Sequence, residues 1–176
     1  MLSFDEIYSF LPGDGWLSET EARLLWDAVN KTVGDILEVG CYMGRSTVLF
    51  AKTGRFVRCV DPFDGFHSEL SGDEIEAKWR LNTQPWVGNV QLYRQRIEDW
   101  SPIGLAHGFA YLDGDHTYIG TLAQILKAKV SLQFGGAIAI HDVNDTGGGA
   151  EVKRAAHELL GPWTTRVERL AIWENV

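Results

Sequence analysis

Apolar positions along the chain fall into short runs separated by stripes of helical period, and the two alternate from about residue 18 to the end. Ser18-Glu19-Thr20-Glu21 has the form of a capping box, and Ala22, Leu25, Trp26 and Val29 follow on one face, so a helix is predicted from Ser18 to about Lys31. Asp35-Ile36-Leu37-Glu38-Val39 then reads as a strand closed by Gly40, with a helix from about Gly44 to Lys52. Phe56–Val60 is a second strand, ending at Asp61. A polar segment from Pro62 to Gly88 carries a helix at about Asp73–Asn82. It precedes a third strand, Val90–Tyr93, and a fourth, Gly108–Asp113. Ile119, Leu122, Ala123, Ile125 and Leu126 mark the next helix. Gly135-Gly136 introduces a fifth strand, Ala137–His141, and Gly147-Gly148-Gly149 leads into a helix through Val152, Ala155, Ala156, Leu159 and Leu160. Residues 165–169 and 170–173 supply two last strands.

Strands alternating with helices predict an α/β fold, a mostly parallel sheet with helices on both faces. No repeat, low-complexity tract or linker divides it, so a single domain spanning 1–176 is expected, with the helix at about 18–31 packed on its core. Ligands of such sheets bind beyond the carboxyl ends of the strands, which here carry Glu38, Asp61, Asp113, Asp115, His116, His141 and Asp142.

Charge narrows the partners. Twenty-four acidic against 16 basic residues give a net charge of −8, which argues against a nucleic-acid or anionic-membrane surface as the main partner. With 45% hydrophobic and 23% charged residues the chain is not of disordered composition. No apolar run reaches membrane-spanning length and the first residues lack a basic leader, so a cytoplasmic location is expected. Cys41 and Cys59 make no disulfide framework and are read as reduced.

The turn Glu38-Val39-Gly40-Cys41-Tyr42-Met43-Gly44-Arg45-Ser46 joins strand to helix with glycines four apart. A dinucleotide fingerprint would place a glycine where Tyr42 stands. A carboxylate at Glu38 repels phosphate and attracts an ammonium group. Asp61 lies 23 residues on, near the spacing at which α/β nucleotide sites place a carboxylate on ribose. An ammonium-binding Glu38 and a ribose-binding Asp61 together describe an amino-acid-bearing nucleoside, and S-adenosylmethionine fits. At the ends of strands four and five, Asp113, Asp115, His116, His141 and Asp142 can converge on one ion, because neighbouring strands lie about 4.8 Å apart. Oxygen ligands alone suit Mg²⁺, whereas an imidazole shifts the preference toward Mn²⁺, Fe²⁺ or Zn²⁺.

Glu38-x-Gly40-x-x-x-Gly44-x-Ser46, Val60-Asp61-Pro62, Leu112-Asp113-Gly114-Asp115-His116-x-Tyr118, Gly135-Gly136 and Ile140-His141-Asp142, in that order, resemble the small class I S-adenosylmethionine-dependent methyltransferases related to the macrocin and cephalosporin O-methyltransferases. The resemblance runs from about Gly34 to the C-terminus. It implies a Rossmann-like seven-stranded sheet whose last strand is antiparallel. It also implies cofactor contacts from Glu38, Gly40, Cys41, Tyr42, Gly44, Ser46, Asp61, Pro62, Arg96, Ile97 and Asp113, and a divalent metal, Mg²⁺ or Mn²⁺, on Asp113, Asp142 and position 141. Two departures stand out: Arg96 replaces a small acidic residue, and His141 replaces a glutamate.

The expected activity is methyl transfer from S-adenosylmethionine to a hydroxyl of a small molecule, a sugar or secondary metabolite. His116 is the first candidate for base, His141 the second, able to act as ligand instead, and Phe63, Phe66, Trp79 and Trp86 are candidates for an acceptor wall. A metal-dependent hydrolase using Asp113, Asp115, His141 and Asp142, and a non-catalytic nucleoside-binding accessory subunit, are the competing readings. At this length an acceptor pocket is small or is completed by a second subunit, as in a homo-oligomer.

Overall fold

A computed structural model describes residues 3–64, 69–102, 104 and 106–176. Its seven strands, β1 (Asp35–Val39), β2 (Val57–Val60), β3 (Val90–Tyr93), β4 (His107–Leu112), β5 (Leu132–Ile140), β6 (Thr165–Val167) and β7 (Leu170–Glu174), form one sheet in the order β3-β2-β1-β4-β5-β7-β6. β1 to β5 pair in parallel, while β7 is antiparallel to both β5 and β6. The helices are α1 (Phe4–Ser9), α2 (Glu19–Asn30), α3 (Arg45–Ala51), α4 (Gly72–Thr83), α5 (Tyr118–Ser131) and α6 (Gly147–Leu160).

Side chains of a strand alternate between faces, and the core divides accordingly. Ile36, Val57, Cys59, Phe109, Tyr111, Ala137, Ala139, Leu170 and Ile172 pack with Ala22 and Leu25 of α2, Leu49 and Phe50 of α3 and Trp79 of α4. Their neighbours Leu37, Val39, Val60, Ala110, Leu112, Ile138, Ile140, Ala171 and Trp173 pack with Ile125 and Ala128 of α5 and Val152 and Ala156 of α6. With both faces covered, β1 and β4 are buried along nearly their whole length, which is why they read as unbroken apolar runs.

The chain reverses direction across the sheet between β1 and β4, so their carboxyl ends diverge into the crevice where open α/β sheets bind ligands. Those ends are tightly joined: Asp113 N–H donates to Val39 O at 2.8 Å, and His141 N–H to Leu112 O at 3.0 Å. Gly40, at φ +80°, lies so close that a Cβ there would overlap the carbonyl of Asp113.

Three details differ from the sequence expectation. A first helix, α1, was not anticipated; its capping box, Ser3 with Glu6, holds a single short stretch with one buried residue, Ile7. β5 starts at Leu132, with Gly135-Gly136 inside the strand, because the ladder to β4 shifts register between His107 and Phe109 and the glycines absorb the irregularity. The polar segment ends in a 3₁₀ turn, Gln84–Trp86. No helix among the described residues is long and apolar enough to cross a membrane.

Candidate active site

The strand ends gather the predicted residues into two adjoining groups. The first surrounds the turn after β1. Tyr42 sits in the left-handed region at φ 43°, as does Phe63 at φ 52° after β2, a strained geometry for residues with side chains. Asp61 holds both: its Oδ2 accepts from Cys41 N at 2.8 Å and Tyr42 N at 3.0 Å, and its Oδ1 accepts from Phe63 N at 2.7 Å. Burial pushes the Asp61 carboxyl up, against the pull of these backbone donors. The two N–H groups that would cradle a pyrophosphate are therefore already taken by a carboxylate. A carboxylate, that of Asp61, thus fills the place where a phosphate would sit.

Glu38 is not placed to meet a ligand. It shares its sheet face with Ile36, is 0% exposed, and accepts from Ser46 Oγ at 2.5 Å, Thr47 Oγ1 at 2.6 Å and Cys59 Sγ at 3.2 Å. Burial raises its pKa to about 7, although all three donors favour the charged form. Both oxygens and the Ser46 hydroxyl are thus committed to pinning the start of α3 onto β1 and β2. This corrects the direct ammonium contact expected of Glu38. Gly44, at φ 92°, begins α3 against Trp79 of α4. Cys41 and Cys59 are free and buried, and burial raises both thiols, Cys59 to about 12.

Tyr42, Pro62 and Asp113 remain partly open at the crevice. Past β3, Ile97 is a core residue beside Trp100, whereas Arg96 is exposed and pairs with Asp64 at 2.9 Å, joining the segments that follow β2 and β3. Phe63 and Trp79 are core residues, with Trp86 partly buried against them, and Trp79 Nε1 donates to Thr47 Oγ1 at 3.2 Å. They build the interior rather than an acceptor wall; Phe66 lies outside the described residues.

The second group lies past β4 and β5. Asp113 Oδ1 stands 3.3 Å from both His116 Nε2 and His141 Nδ1, and Asp142 Oδ2 stands 3.6 Å from the same two nitrogens. Tyr111 donates its hydroxyl to Asp113 Oδ2 at 3.0 Å, and Arg169 Nη1 meets Asp142 Oδ1 at 2.8 Å. Asp142 is itself held at φ 55°. Although burial opposes it, the two imidazoles hold the Asp113 carboxyl far below the usual carboxylate range. His141 likewise keeps Asp142 low, and the bond to Asp113 raises His116. His141 is also raised: the surrounding carboxylates outweigh the burial that would lower it.

One ligand atom each from Asp113, His141 and Asp142 lies within 4.8 Å of the others, so these residues fit a divalent cation, with charge and donor type to match. Asp115 is not among them; it is exposed and caps the turn into α5, its Oδ1 accepting from Thr117 N at 2.8 Å. His141 is 2% exposed and out of an acceptor's reach, whereas the His116 side chain is 28% exposed. Of the two candidate bases only His116 is accessible.

Sequence reasoning did not find Glu21, Tyr111 and Arg169. Glu21 is 1% exposed, and its Oε1 lies 3.3 Å from His141 Nε2, at an angle too bent for a good hydrogen bond. Burial would raise Glu21, but His141 and two backbone donors bring it below the ordinary value.

Residues 37–143, more than half of the chain, match the family described as a methyltransferase domain. The chain belongs to this methyltransferase family. The enzyme class expected from the sequence, an S-adenosylmethionine-dependent methyltransferase, therefore stands. The methyltransferase superposes on the O-methyltransferase NovP with a TM-score of 0.70, covering 92% of this chain and 83% of that one at 16% identity. CalS11, a TDP-rhamnose 3'-O-methyltransferase of calicheamicin biosynthesis, gives 0.65 over 97% and 90% of the two chains, also at 16% identity. An O-methyltransferase from Bacillus cereus, solved in complex with SAH, gives 0.65 over 96% and 89% at 18% identity. At such identities the likeness establishes the fold. Comparison with curated proteins gives no match.

Proposed function

We propose that this methyltransferase transfers the methyl group to a hydroxyl of a small molecule, a sugar or secondary metabolite, with assistance from a divalent metal. The observation that carries the reading is the convergence of Asp113, His141 and Asp142 beside the accessible His116, next to the crevice at β1 and β4. An amine acceptor is nucleophilic once neutral, whereas an alcohol must lose or weaken its O–H bond as it attacks, and this cluster is built to handle a proton.

S-adenosylmethionine supplies a methyl on a sulfonium, and its adenosine and amino-acid parts are assigned to Asp61, the Gly40–Gly44 turn and Asp113. Asp113, His141 and Asp142 would hold a divalent ion, which would supply Lewis acidity to the acceptor hydroxyl. His116, its Nε2 proton turned to Asp113, takes the acceptor proton on the other side of its ring as the new O–CH₃ bond forms and the S–CH₃ bond breaks, leaving a neutral thioether and an imidazolium. Tyr111 and Arg169 fix the two carboxylates from behind, which keeps the reacting groups in line. The hydrolase reading leaves the Asp61-filled turn without a role, and the accessory-subunit reading leaves the cluster without one.

Methyl-labelled S-adenosylmethionine offered with panels of sugars, phenols and amines tests the proposal. Labelled ether products, lost with a chelator and restored by Mn²⁺, are expected. Labelled amines alone, or ether formation indifferent to the chelator, would overturn it.

A further inference from the structure

Three helices of this chain open with the same Ser-x-x-Glu capping box, in which the serine caps the glutamate's N–H and the glutamate returns to the serine's N–H. In α1 and α4 that glutamate, Glu6 or Glu74, stands in water. In α2 it is Glu21, which is buried. Capping does not need burial, and the cap occupies only one oxygen: Glu21 Oε2 receives Ser18 N at 3.1 Å. The other, Oε1, receives Arg169 N at 3.2 Å and lies 3.3 Å from His141 Nε2. A carboxylate withdrawn from water costs free energy unless something in the interior uses its charge.

What uses it is the imidazole of His141. Strand parity turns this ring to the same face as Tyr111 and Ala139, and α2 covers that face. The ring is therefore flanked on two sides. Nδ1 looks to Asp113 and Asp142 at 3.3 and 3.6 Å; Nε2 has no well-aligned hydrogen bond among the described residues, and the carboxylate beside it is Glu21, 3.3 Å away. A histidine that ligates through one nitrogen usually gives the proton on the other to a carboxylate or carbonyl, which fixes the tautomer and makes the ligating nitrogen more basic.

We propose that Glu21 is the positioning residue for His141: it holds the ring's proton on Nε2, so that Nδ1 is presented to a cation bound by Asp113 and Asp142. The assignment rests on the metal-assisted reading above. It makes the helix that precedes β1 part of the site, and it gives this chain's histidine, standing where relatives of the resembled group carry a glutamate, the support that an imidazole ligand needs.

Glu21→Gln is the discriminating variant, because the glutamine oxygen can keep the capping bond to Ser18 N while its NH₂ replaces the Oε1 that faces Arg169 N and His141 Nε2. Mn²⁺ affinity is measured on the full chain by electron paramagnetic resonance of the free ion, for the wild type, Glu21→Gln and Asp142→Ala. Melting temperature and affinity for the demethylated cofactor are measured in parallel. The expected result is an Mn²⁺ affinity about 10- to 100-fold weaker in Glu21→Gln, with affinity for the demethylated cofactor unchanged and the melting temperature lowered only by the lost Arg169 N–H bond. In the Zn²⁺-loaded wild type, nitrogen NMR of His141 should show Nε2 protonated and Nδ1 bound. Equal Mn²⁺ affinity in Glu21→Gln and wild type, with Asp142→Ala defective, overturns the role of Glu21 and leaves the metal reading standing. So does a His141 bound through Nε2. A wild type that binds no Mn²⁺ overturns both.

Discussion

Replacing Glu38 by glutamine should make the protein more stable in mild alkali and nearly unchanged in acid. The carboxyl is fully buried, and its pKa rises from 4.5 in an unfolded chain to about 7 in the fold. A folded value above the unfolded one means that the native state holds the proton more tightly. The associated stability is complete below pH 4.5 and is lost as the pH climbs through 7. The full shift corresponds to about 3 kcal/mol, of which about 2 kcal/mol is expressed between pH 5 and pH 8. Glutamine keeps the shape and never has to ionise, and the Ser46 and Thr47 hydroxyls can rotate to accept from its amide. Urea unfolding at pH 5, 6.5 and 8 should show the wild-type midpoint falling relative to the variant, with the two curves close at pH 5. Calorimetry with S-adenosylhomocysteine should give the same affinity for both proteins. Parallel pH profiles would refute the buried, near-neutral carboxyl, and a large loss of cofactor affinity would restore the direct contact that the fold places out of reach.

Other consequences are equally open to measurement. His107 is buried with neither ring nitrogen hydrogen-bonded among the described residues, and desolvation lowers its pKa to about 4. Its stability contribution is therefore present above pH 6.5 and is lost as the pH falls toward 4. His107→Leu should flatten that acid limb, worth about 2–3 kcal/mol in chemical denaturation, and an unchanged limb would contradict it. Gly40→Ala forces a Cβ into the carbonyl of Asp113 at a positive φ, so a loss of about 2–4 kcal/mol is expected, and an unaltered unfolding midpoint would show that β1 and β4 do not meet so closely. Asp61→Asn withdraws the charge from the donors of Cys41, Tyr42 and Phe63; a loss of about 1–3 kcal/mol is expected in the same assay, together with weaker binding of S-adenosylhomocysteine.

The layers of the fold were legible because α2, α5 and α6 carry helical stripes and the strands are short apolar runs bounded by glycine or aspartate. The clustering of Asp113, His116, His141 and Asp142 was legible for a related reason: residues just past adjacent parallel strands must be neighbours. Depth was harder to see. Glu38 lies in a run buried on both faces, so its pattern did not reveal whether the carboxylate looked into the crevice or into the helix layer. Its partners Thr47 and Cys59 come from two other elements. Asp61 was placed correctly at a strand end, but its grip on the Cys41 and Tyr42 amides is a non-local closure that spacing does not encode. Glu21 was read as a cap, which it is. Its second oxygen finds His141 only because α2 crosses the end of β5, a strand reached much later in the chain. Nor does the pattern reveal the depth of His107, which begins β4, where the sheet is covered on both sides.

The central division of labour places the donor at the Asp61-filled turn and acceptor activation at Asp113, His141 and Asp142. Asp142→Ala, assayed for turnover of a hydroxyl acceptor and titrated with S-adenosylhomocysteine in the same preparation, tests it most directly. Turnover should fall at least about 100-fold, the scale of a lost metal contribution, while the calorimetric affinity stays at the wild-type value. Turnover that survives, or affinity that falls with it, would contradict the account.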